Sequence, residues 1–72
     1  MAIDWIDVEE KARVMKAATV RVIEVTHAVN EGTVAGRELH ADTIASLKTV
    51  DGPAARTAAQ DAWNDLKAAM TP

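Results

Sequence analysis

Between Trp5 and Asn30 the same kind of side chain returns every three or four positions. Val8, Ala12, Met15, Thr19, Val22, Thr26 and Val29 fall on one stripe of a helical wheel, with Val14, Ala18 and Val25 on one flank and Trp5 and Ile23 on the other. Glu9, Arg13, Lys16, Glu24, His27 and Glu31 take the opposite side. This is the period of an amphipathic helix. Its apolar arc covers roughly half of the circumference, more than a single neighbouring helix hides. The start of the helix is well punctuated: Asp4 suits the N-cap, and Ile3 and Val8 suit the two positions of a hydrophobic staple. Acids lead bases along the first turns, which matches the helix dipole, and Asp7 with Lys11 and Glu9 with Arg13 stand in the favourable i, i+4 order.

Glu31-Gly32-Thr33 reads as a stop, with Gly32 suited to a left-handed cap and Thr33 able to cap a second element. Leu39, His40, Thr43, Ile44, Leu47 and Val50 then repeat at helical spacing. They predict a second helix over about 34–50, beginning anywhere from Val34 to Asp42, because Gly36 lowers propensity and Val34 leaves the stripe. Asp51-Gly52-Pro53 reads as a break: a capping acid, a residue of low helix preference and a proline fit for a first turn. A third helix is predicted over about 53–70, with Ala55, Ala59, Ala62, Leu66 and Met70 on one face and Trp63 as its core anchor. The pattern therefore predicts an all-α, three-helix protein in a single domain spanning residues 1–72. At 1.5 Å per residue the first helix is about 39 Å long and each of the others at most about 27 Å. Part of the long stripe is expected to project beyond its companions, and projecting apolar surface invites a partner.

Composition sharpens this picture. Hydrophobic residues make up 49% of the 72, but Phe and Tyr are absent and Trp occurs twice, so alanine supplies much of the apolar content and the core is thin. Small chains with thin cores commonly lean on disulfides, metals or association, and without cysteine the first is excluded. The net charge of −3 argues against nucleic acid, whose phosphates are bound mostly by Lys and Arg. The first residues lack the basic start and apolar run of a secretory leader, and no apolar stretch is long enough to span a bilayer, so a soluble, intracellular protein is expected.

Candidate chemistry is sparse. Glu24 and His27 form a Glu-x-x-His, the spacing that di-iron bundles use to share a metal pair. There is one copy, it falls on the polar side of its helix, and a solvated helix face accounts for it; only a symmetric oligomer would double it. His40 lies on the apolar stripe of the second helix and reads as a packed ring with a satisfied nitrogen. Ser46 is the only serine and has no nucleophile elbow around it, and the carboxylates are scattered instead of paired. Gly32, Gly36 and Gly52 match no phosphate-cradling loop. In Leu39-His40-Ala41-Asp42-Thr43-Ile44, Thr43 and Ile44 stand where acyl carrier proteins have Ser-Leu, so no family is assigned. No cofactor or metal site is read, and the protein is not expected to be an enzyme.

The expected function is protein–protein contact, as a homo-oligomeric scaffold or as a small subunit or adaptor of a larger complex. Trp5, Met15, Val22 and Val29 are the candidate contact residues. Two other readings remain open: a small acidic inhibitor that occludes an enzyme or nucleoprotein, and a dimeric helix-turn-helix regulator using the turn around Gly52.

Overall fold

The computed structural model describes residues 2–72. It holds two long helices joined by a small β-hairpin, with 80% of the chain helical. Helix α1 runs Trp5–Glu31. Asp4 caps it as expected, its carboxylate accepting the N–H groups of Ile6 at 3.1 Å and Asp7 at 3.3 Å. The Lys11–Asp7 pair at 2.8 Å and the Arg13–Glu9 pair lace the first turns. At the other end Gly32 adopts φ 68°, and its N–H reaches back to the Ala28 carbonyl. A left-handed residue there ends the helix, and glycine adopts that conformation without a Cβ penalty.

The region expected to open a second helix is a hairpin instead. Strand β1 (Thr33–Val34) pairs antiparallel with β2 (Arg37–Glu38), Thr33 opposite Glu38 and Val34 opposite Arg37. Ala35 and Gly36 between them have φ 50° and 79°, the pair of positive values that a two-residue type I′ turn requires. Gly36 thus serves a turn, and helix resumes only at Ala41. His40 is not packed on a stripe but exposed at the N-cap, where its Nδ1 accepts the Asp42 N–H at 3.2 Å.

A larger correction concerns Asp51-Gly52-Pro53, where no break occurs. Helix α2 spans residues 41–70 and consists of a short α-helical arm (Ala41–Ser46), a π-helical turn (Leu47–Asp51) and a long α-helical arm (Gly52–Met70). The three-helix architecture gives way to two helices and a hairpin. Asp51 keeps helical angles, φ −71° and ψ −39°, and its side chain caps nothing. The physical reason lies in Pro53, which lacks an N–H and whose ring crowds the carbonyl four residues earlier. An extra residue in the turn carries the hydrogen-bond ladder past this point, the Gly52 N–H reaching the Leu47 carbonyl. The turn required by a helix-turn-helix is therefore a stretch of continuous helix.

The inserted residue also sets the packing phase. Ile44 on the short arm and Leu47 at the start of the π-helical turn are half-buried, and on the long arm Ala55, Ala59, Ala62, Leu66 and Ala69 return on the shielded side. A strict seven-residue repeat from Ile44 and Leu47 would have brought Ala58 and Ala54 there, and both are exposed. Gly32 beside Ile44, Val25 beside Gly52 and Lys11 near Asp65 step in opposite directions along the two helices, so α2 returns antiparallel along α1. The seam is shallow. Among the described residues Val8, Val25, Ala28, Ala55 and Ala62 form the buried core, and no large side chain is fully buried.

A single layer of two helices results, with extents of 52 × 21 × 12 Å. Its radius of gyration is 15.6 Å, against about 11 Å for a compact chain of this length.

Candidate interaction surface

A two-helix layer presents two broad faces, one on each side of the seam. The first is marked by a groove of about 200 Å³, floored by Val22, Val25, Val29 and Leu47 and rimmed by Lys48 and Arg56. Helical periodicity extends this face along both helices: Trp63 and Met70 lie about two and about four turns beyond Arg56, and Trp5 lies about five turns before Ile23. Trp5 is 66% exposed, Ile23 62%, Trp63 38% and Met70 37%. The Lys67 ammonium sits 5.6 Å from the centre of the Trp63 ring, a cation–π contact across one turn. Lys16, Lys48, Arg56 and Lys67 belong to this aromatic face, and among the described residues none of them forms an ion pair.

The opposite face is built differently. Asp65 is about two and a half turns from Arg56 and so occupies the other side of α2. It shares that side with Asp61 and with Ala54, Ala58 and Ala68, all exposed. On α1 the same face carries Asp7, Glu10, Val14, Ala17 and Arg21, the last 3.8 Å from Glu24. Lys11 at the seam edge donates to Asp7 at 2.8 Å, and its pKa is raised first by that hydrogen bond, then by the charges of Asp7, Glu10 and Asp65. Glu10, Asp61 and Asp65 form no ion pair among the described residues. This alanine face is acidic where the aromatic face is basic.

The residues singled out in the sequence are distributed unevenly over these surfaces. Trp5 is exposed on the aromatic face, Val22 and Val29 floor its groove, and Met15 is half-buried in the seam. Trp63, read as a core anchor, stands on the aromatic face instead; its seven-residue spacing from both Arg56 and Met70 is the signal that groups it there. Glu24 and His27 are exposed. Glu24 lies 3.8 Å from Arg21, and no cluster of three potential metal ligands occurs among the described residues. Ser46 is exposed on α2. No described helix is long and apolar enough to cross a membrane.

Comparison with protein-family models, curated proteins and solved structures finds no match to this chain.

Proposed function

We propose that this chain works by protein–protein contact, as a homo-oligomeric scaffold or a small subunit or adaptor of a larger assembly. The observation that carries the reading is its uncovered surface. The chain exposes 5358 Å², whereas a compact monomer of 7.7 kDa exposes about 4,300 Å². The excess, about 1,000 Å², is comparable to the roughly 800 Å² that each partner contributes to a standard interface. Its chemistry supports the same reading, because Trp, Met and Arg are enriched at protein interfaces and Trp and Arg among their energetic anchors. The groove at the seam is smaller than the roughly 300–1,000 Å³ of typical small-ligand sites, and the neighbouring hollow of about 310 Å³ beside Ile23 and His27 is more open to solvent than the groove.

Sedimentation equilibrium and native mass of the purified chain, together with a pull-down from its native source, test the proposal. A mass above that of one chain, or a stoichiometric complex with a captured protein, is the expected result. A monomer at every concentration that captures nothing overturns it. The unpaired acids of the alanine face favour a second reading, an acidic inhibitor seated on a basic target. That reading requires a monomer on its own and a complex that salt dissociates.

A further inference from the structure

We infer that copies of this chain stack through unlike faces, the aromatic face of one against the alanine face of the next. The inference rests on the assembly reading above and adds to it the partner, a second copy, and the orientation.

Charge is the first argument. Lys16, Lys48, Arg56 and Lys67 stand on the aromatic face without an acidic partner among the described residues, and Glu10, Asp61 and Asp65 stand on the alanine face without a basic one. Two aromatic faces in contact would gather both sets of cations into one interface, and like charges brought together oppose association. Unlike faces set each group of cations against a group of carboxylates.

Shape points the same way. The aromatic face projects Trp5, Ile23, Trp63 and Met70, all partly to largely exposed. Ala17, Ala54, Ala58 and Ala68 on the other face are exposed as well, and their small side chains leave room between the helices for large ones. Bulk on one side therefore meets space on the other, the complementarity that well-packed interface cores require.

Area and symmetry complete the case. The excess of about 1,000 Å² per chain is enough for one partner's share of a standard contact. The two faces lie on opposite sides of a layer only 12 Å thick, so a contact between unlike faces leaves one face of each kind free. Such a contact is heterologous and cannot close on itself as a two-fold dimer does; it repeats into a stack.

Sedimentation velocity over a range of concentration and salt, with native mass spectrometry, tests this on the full chain and two exposed double variants. One carries Arg56→Glu with Lys67→Glu, the other Asp61→Lys with Asp65→Lys. Circular dichroism checks that each keeps its helices. The native chain is expected to form a ladder of species that lengthens with concentration and shortens with salt. Each variant alone carries, at its substituted positions on one face of α2, the same sign as the native α2 charges it would meet on the other face, and is expected to run as a monomer. An equimolar mixture is expected to recover assemblies in which the two variants alternate, and this recovery also shows that the monomeric variants were folded. A native dimer of fixed size that persists in the Asp61→Lys, Asp65→Lys variant means two aromatic faces meet, which overturns the stacking but leaves the assembly reading standing. A native chain that stays monomeric alone yet holds a foreign protein likewise overturns stacking alone; a monomer that captures nothing removes both.

Discussion

Gly52 stands at a steric limit inside α2, against the backbone of its own π-helical turn. A Cβ built there would lie 2.9 Å from the Leu47 carbonyl oxygen and 3.8 Å from a methyl of Val25. The first contact is with backbone, which cannot rotate away as a side chain does. Gly52→Ala is therefore expected to destabilise the chain by about 1–3 kcal/mol, the usual range for forcing atoms into a packed site, as read by urea denaturation. Ala35 makes the opposite case. It holds φ 50° with a Cβ in place, a conformation that asparagine tolerates better, so Ala35→Asn is expected to stabilise by up to about 1 kcal/mol in the same measurement. Lys11 supplies a pH dependence. Its folded-state pKa is raised, chiefly by the hydrogen bond to Asp7, so the pair's contribution is fully present at neutral pH and is lost as pH rises through the folded lysine value. The thermal midpoint of the native chain should fall toward that of Lys11→Met only in strongly alkaline solution. What is legible at this scale is local: Asp4 and Gly32 announce their caps because a cap needs a particular side chain or its absence at one position. Ala35 announces nothing, because the hairpin imposes its left-handed angle on a residue that does not prefer it.

The same distinction holds for whole elements. Helix α1 is readable because cap, dipole order and stripe agree along its length. Helix α2 is not, because Gly52 and Pro53 each oppose an ordinary helix and together resemble a boundary. The π-helical turn at Leu47–Asp51 resolves that conflict with one additional residue, which the sequence pattern shows only as two stripes out of phase. Read as separate helices, Leu39–Val50 and Ala55–Met70 need no common phase; read as one, they need an insertion. Deleting Val50, which is 61% exposed, tests this. Removing one residue places Ala55 seven positions after Leu47, the repeat of an ordinary helix, so the two arms keep their phase while the π turn is lost. Ile44 and Leu47 stay in the seam, but the ring of Pro53 then crowds the carbonyl four residues before it. Helical circular dichroism should change little while the urea midpoint falls, whereas an inert π turn would leave both unchanged.

At the scale of the whole molecule the thin core expected from an alanine-rich, phenylalanine-free composition appears as a seam in which no large side chain among the described residues is fully buried. The stripe does not project beyond shorter companions as expected: α2, at 30 residues, is as long as α1, and the flanks of the stripe at Trp5, Val14 and Ile23 are exposed because a single helix packs on it. Trp5 is legible as a surface residue from its position on the wheel, whereas Trp63 reads as core because large apolar residues are usually buried when enough neighbours exist to cover them. In a layer 12 Å thick those neighbours are lacking. A chain with so little enclosed apolar surface has stability to gain from any contact that covers its faces, and mass action makes that gain visible. If copies cover one another, a hundred-fold rise in concentration well above the dissociation constant adds up to about 2.7 kcal/mol to the folded state. The thermal midpoint of the native chain is therefore expected to climb with protein concentration. The Asp61→Lys, Asp65→Lys variant, with the same core but one face reversed in charge, should show a flat dependence. Parallel slopes for the two proteins would place the stabilising contact elsewhere than between these faces.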